Sequence, residues 1–192
     1  MSFKNSLILF TVFIAVGLSS YFLVRNGDYP AAVVGFRVIT AKEVDKNSFA
    51  AQKYLQNLTS ISGSDPKELE KPEARREIRR AVLDKLISDL LVYNELNKRF
   101  PNEFQAIADN NIDKILENKS NLEAGIKALY GLNLLEFRER ILLPQAYKEI
   151  LEGRMLLANE KFDNWLKNKR DQASITILIP DLQWDGNSVK FR

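Results

Sequence analysis

The sequence predicts a mainly α protein with a small terminal β-sheet (α+β): an N-terminal transmembrane helix, then a helical domain closed by its N- and C-terminal strands. Three observations carry that expectation. Residues 5–24 are uncharged throughout, and a helix needs about 20 such residues to cross a hydrocarbon core. Apolar side chains recur at helical spacing through most of residues 40–172. Short alternating runs rich in branched side chains stand on either side of that helical middle, at 32–39 and 173–179.

Lys4 precedes the apolar stretch and Arg25 follows it, so the charge asymmetry is mild. So short a tail suits a signal anchor with its N-terminus in the cytoplasm. The competing reading is a cleaved leader, with an apolar region at 7–18 and the small Gly17 and Ser19 at the cut. The apolar run continues through residues 21–24, which favours the anchor. The expected organisation is a cytoplasmic tail and anchor at 1–25, crossing the membrane through residues 7–24, and a linker at 26–31. Residues 32–192 then form the main domain, outside a cell membrane crossed once, in the periplasm or at the cell surface.

In the first strand, 32–39, Val34, Phe36 and Val38 share a face. Thr40 and Glu43 then make a capping box, the hydroxyl and the carboxylate each satisfying a free amide of the first turn, for a helix to about residue 58. The Ser, Gly, Asp and Pro of 60–66 read as loop. Pro72 suits a helix start, where the amide it lacks would be unpaired. Ile78, Val82, Leu86 and Leu90 form one stripe on that helix and Leu83, Ile87 and Leu91 another. So wide an apolar arc predicts neighbours on two sides. Pro101 ends it near Phe100.

Shorter helices are expected at 102–118, from a capping box at Ser120 and Glu123 to Gly131, and from a third box at Asn133 and Glu136. Pro144 interrupts or kinks the last. A long helix then carries Leu151, Met155, Ala158, Phe162 and Trp165 against the central helix. Residues 173–179 make the closing strand, and Asp185-Gly186 is a turn from which 188–191 return as a hairpin. The strands at the two ends most simply pair with each other.

The chain has 28 basic and 25 acidic residues, net +3, with no histidine and no cysteine. Disulfides, thiol catalysis, imidazole bases, serine–histidine–aspartate triads and the usual zinc ligands are excluded. No glycine-rich phosphate cradle is present, so use of ATP is not expected. The only dense basic patch, Arg75, Arg76, Arg79 and Arg80, is interrupted by Glu77 on a helix and reads as a solvated face, not a nucleic-acid site. Ser64 and Lys67 have the spacing of a nucleophile pair, but in a loop beside Pro66. Asp181 opens a stretch resembling a calcium loop, yet Arg192 falls where the bidentate glutamate belongs. Asn57 and Asn118 open glycosylation triplets of a kind that arises by chance. Catalysis, cofactors and metal ions are not expected.

Three segments together resemble the SurA-type and PrsA-type extracytoplasmic chaperones, usually associated with parvulin-type prolyl isomerases. That family opens with a strand, a turn and a pattern close to Val-Asn-Gly-x-x-Ile-Thr-x-x-Glu; Val34, Gly35, Ile39, Thr40 and Glu43 follow it with the turn shortened. Residues 81–95 read like the family's long helix, a leucine–isoleucine core followed by Glu95, and 129–141 like a later one. Phe162 and Trp165, then the strand at 173–179, sit where the family returns to complete its domain. Between Ile141 and Phe162 there is no room for an inserted isomerase domain, and the histidines usual in a parvulin site are missing. The resemblance therefore implies a chaperone fold, helices around a groove, without isomerase activity and without any transferred catalytic residue.

The resemblance implies a membrane-anchored, ATP-independent factor that covers apolar segments of unfolded or newly exported polypeptides. The alternative is a tethered structural or adaptor subunit serving one dedicated membrane-side protein. Tyr93, Phe100, Phe104 and Tyr130 are the candidate peptide-binding residues.

Overall fold

A computed structural model describes residues 25–117 and 122–192. The predicted anchor at 7–24 and the capping box at Ser120 lie outside the described residues. Among those described, no helix is long and apolar enough to cross a membrane.

The first strand is in fact a hairpin, β1 (Pro30–Val34) and β2 (Arg37–Thr40). The single strand expected over 32–39 is corrected by Gly35, which takes φ +60° at the first of two loop positions. Glycine there is the signature of a type II′ turn, whose twist matches that of the flanking strands. Phe36 is left fully exposed at the tip. β3 (Ile175–Ile177) pairs antiparallel with β1, so the sheet order is β2-β1-β3 and the two ends of the domain do meet. β4 (Leu182–Trp184) and β5 (Val189–Phe191) form a separate hairpin. Asp185 Oδ1 holds its turn by accepting from the Asn187 and Ser188 amides at 2.9 and 2.7 Å.

α1 (Ala41–Ile61) starts where expected, with Thr40 Oγ1 accepting from the Glu43 amide. It runs one turn further than predicted. The Thr59 and Ser60 hydroxyls bond back to the carbonyls of Leu55 and Gln56, keeping loop-like residues in the helix. After a 3₁₀ turn at Pro66–Glu70, α2 (Pro72–Arg99) forms the axis of the domain. Its 28 residues span about 42 Å at about 1.5 Å each. One side of α2 sets Leu83 and Ile87 against the sheet with Val34, Ile39 and Val44. Its C-terminal half sets Val92 and Leu96 against Leu151, Met155 and Trp165. The stripe of Leu83 and Ile87 thus meets the sheet, and the second partner is met further along the helix, by residues of neither predicted stripe. Glu95, almost fully buried, is held by Arg99 and Lys169 at 2.6 and 3.1 Å.

α3 (Glu103–Leu116) and α4 (Leu122–Tyr130) follow, then α5 (Leu134–Phe137) under a complete Asn133–Glu136 capping box. α5 passes through a π-helical turn at Arg138–Leu142 into α6 (Leu143–Leu157). In that turn the Leu143 amide donates to the Arg138 carbonyl, five residues back. The widening lies just ahead of Pro144, whose ring would otherwise crowd the carbonyl four residues earlier. The long helix expected through Phe162 is broken. Asn159 adopts φ +57°, and the chain restarts as α7 (Phe162–Gln172). Asparagine is among the few residues that enter the left-handed region readily, which ends α6 without a glycine. Arg99 secures this turn, with Nη1 and Nη2 on the two Glu160 carboxylate oxygens at 3.0 and 3.1 Å.

Candidate functional site

Between the β2 edge, α1, α2 and the start of α6 lies an open groove of about 470 Å³. The capped start of α1 brings Glu43 and Asn47 to one wall. The outer stripe of α2 supplies Leu86, Leu90 and Tyr93 as floor. The π-helical turn rotates Glu139 and Arg140 inward, and Pro144 and Tyr147 complete the far wall. Apolar floor and charged rim are therefore both present.

Tyr93, Tyr147 and Phe104 support one end as an aromatic trio, with centroids 5.1 to 5.8 Å apart. Edge-to-face contacts of this kind fix ring orientation. Arg37 lies 4.7 Å above the Tyr93 ring, covering it from the strand side.

The charges stand in a partly desolvated setting. Burial pushes the Glu43 carboxyl above its ordinary value, against the lowering pull of the Thr40 amide and of Arg140. Burial pushes Asp89 up as well, although Lys85 stands 2.5 Å away and pulls it down. Arg140 Nε is buried with no hydrogen-bond partner among the described residues. Arg140 also separates the groove from a smaller, more apolar cavity of about 200 Å³ lined by Tyr54, Val82 and Tyr130.

Of the four predicted residues, Tyr93 lines the groove and Tyr130 lines the second cavity, stacked on Tyr54 at 5.0 Å. Phe100 packs elsewhere, in the α2–α6–α7 cluster beneath Arg154. Phe104 is corrected: at 1% exposure it is core beneath the groove and offers a peptide no surface. Leu86, Leu90, Arg140 and Tyr147 were missed. The signal for the first two was the width of the α2 stripe, read as neighbours on two sides when part of it faces open space.

The remaining motifs have structural roles. Asp65, between Ser64 and Lys67, caps the 3₁₀ turn by accepting from the Lys67 amide at 2.9 Å. Asp181 pairs with Arg76, and Asp185 closes a hairpin turn. Asn57 Nδ2 donates to the Ala128 and Leu129 carbonyls at the end of α4. In the basic patch, Arg76, Arg79 and Arg80 are each matched to a carboxylate.

A family model described as SurA-like N-terminal domain matches residues 4–120, more than half of the chain. The matched region begins before Val34, where the resemblance opens, and ends well short of the closing strand at 173–179. No curated protein and no solved structure matches the chain.

Proposed function

This chain belongs to the SurA-like N-terminal domain family, and from that premise we propose that it is a chaperone-type factor whose groove holds unfolded or newly exported polypeptides. The observation that carries this reading is the open groove with Leu86, Leu90, Tyr93 and Tyr147 facing its space. A fully buried side chain of that kind contributes about 1.5–3 kcal/mol. Two or three such contacts, less the cost of association, give roughly micromolar affinity. Weak binding lets a client leave and fold.

In this reading the chain is anchored through residues 7–24 and works outside the cytoplasmic membrane. The uncharged stretch supports that, as does a family match that begins at residue 4 and takes it in. The factor needs no ATP and has no prolyl isomerase activity, in keeping with a sequence that lacks a phosphate cradle and histidine.

A second reading draws on the charged rim. Glu43, Asp89, Glu139, Lys42 and Arg140 surround the apolar floor, as they would in a seat for one dedicated membrane-side partner.

The test uses the full chain in lipid nanodiscs, added without ATP to an aggregating unfolded protein, with light scattering as readout and empty nanodiscs as blank. Suppression at near-stoichiometric amounts for several unrelated clients supports the chaperone reading. No suppression by a folded chain removes it and leaves the dedicated partner.

A further inference from the structure

We propose that the outer edge of β2 captures an extended polypeptide segment as a fourth strand of the sheet, its alternate apolar side chains entering the groove. This rests on reading the chain as a polypeptide binder and specifies how the binding is made.

The register of the sheet shows which backbone groups are open. The Gly35 amide donates to the Ser174 carbonyl at 2.9 Å, and the Leu178 amide donates to the Ala31 carbonyl at 2.8 Å. Odd-numbered residues of β1 therefore turn their backbone toward β3, and Ala32 and Val34 turn theirs toward Ile39 and Arg37 of β2. Val38 stands opposite Val33, in the kind of pair that exchanges no hydrogen bonds across the strands. Its amide and carbonyl point away from β1. Among the described residues nothing pairs with that side, because β2 ends the sheet.

Proteins usually blunt such an edge with lysine, proline or a covering loop. Here the edge presents a half-exposed Val38. The groove also follows the edge. Val38, Ile39 and Thr40 all line it, although successive side chains on a strand point to opposite faces. A cavity that touches all three runs beside the strand, not over one face.

These features select the occupant. An outward amide and carbonyl on one residue are matched by the backbone of another extended chain, the arrangement of strand addition. Side chains on one face of that chain then meet Leu86, Leu90 and Tyr93. Glu43, Asp89 and Glu139 line the groove with Lys42 and Arg140, Lys85 pairs with Asp89, and Arg37 lies over Tyr93, so the charges are matched among themselves. The side chains that enter are therefore apolar, as the floor of Leu86, Leu90 and Tyr93 requires. With only four residues in β2, the captured segment is short.

The test uses the full chain in lipid nanodiscs and a short, end-blocked fluorescent peptide of alternating valine and threonine. A series carries a single backbone N-methyl group at successive positions. The expected result is one sensitive position: about tenfold weaker binding, about 1.4 kcal/mol, where the methyl removes the hydrogen bond to Val38, and little change at neighbouring positions. Replacing the valines with aspartate weakens binding, and hydrogen exchange at the Val38 amide slows when peptide is added. A peptide that binds with a flat N-methyl series and an unprotected Val38 amide overturns the strand-addition mode while leaving polypeptide binding intact. Protection of Val38 by protein concentration alone overturns it in favour of a second copy. Failure of both this peptide and unfolded clients to bind overturns the functional reading with it.

Discussion

Val34 and Ile175 stand opposite each other in antiparallel strands, so the first strand of the domain is held in place by a segment near the end of the chain. The groove depends on this closure, because β2 hangs on β1 and β1 is braced by β3. A helical middle alone would leave the Val38 edge unsupported.

Truncating the closing strands should therefore be costly. Leu182→Ala, at a fully buried site in the cluster shared by the sheet and α2, is expected to lower the unfolding free energy by about 2–5 kcal/mol. Leu129→Ala on the exposed face of α4 is expected to stay within about 0.5 kcal/mol. Urea unfolding followed by circular dichroism checks both.

Asp84 ties three elements together. It accepts from Arg170 Nη2 on α7 and, at 2.9 Å, from the Val189 amide of β5. Asp84→Ala would leave the Val189 amide unpaired and take the carboxylate from Arg170, whose guanidinium keeps the Ser88 hydroxyl and the Asn187 carbonyl, a loss of about 1–3 kcal/mol. A double-mutant cycle with Arg170→Leu is expected to show a favourable coupling between the two residues.

The α2 axis, the helix starts at Thr40, Pro72 and Asn133, and the pairing of terminal strands were all legible in the sequence, because each rests on local chemistry or on a repeated apolar stripe. The hairpin at Gly35 was harder to see. Val34, Phe36 and Val38 alternate as in a continuous strand, and only the backbone reveals that the chain reverses between them. The break after Leu157 was hidden for a similar reason. Phe162 and Trp165 continue the helical spacing of Leu151 and Met155, and no glycine or proline marks the left-handed Asn159. The groove was half legible. Tyr93 was identified, but Phe104 has the same aromatic character and differs only in being covered, and Arg140 is brought in by a π-helical turn with no local sequence signal beyond the nearby Pro144.

Glu43 carries a pH signature. Burial raises its carboxyl pKa in the folded state, so the folded protein holds that proton more tightly than the unfolded chain. The stability gained from protonation is complete below the unfolded carboxyl's pKa and is lost as pH rises through the higher folded value. Glu43→Gln, which keeps a capping side chain, should raise the melting temperature at pH 7, and the gain should vanish in acid. Thermal melts of both proteins across that pH range give the comparison.

Tyr93 and Phe104 should part company on mutation although their rings touch. Phe104→Ala removes a fully buried ring and is expected to cost about 3–5 kcal/mol in stability. Tyr93→Ala, at a half-buried position of the groove, should cost less stability than Phe104→Ala and weaken polypeptide binding about tenfold or more, the loss of one apolar contact of about 1.5–3 kcal/mol. Denaturation and anisotropy titrations on the same samples separate the two effects.

The most direct test places a photo-crosslinking side chain at Leu90, Tyr93 or Leu157 in turn and irradiates the full chain with an unfolded polypeptide. Leu157 is exposed and does not line the groove. Strong crosslinks from positions 90 and 93 and few from 157 are the predicted result. Equal yields from all three, or crosslinks only from 157, would contradict a binding groove between β2, α2 and α6.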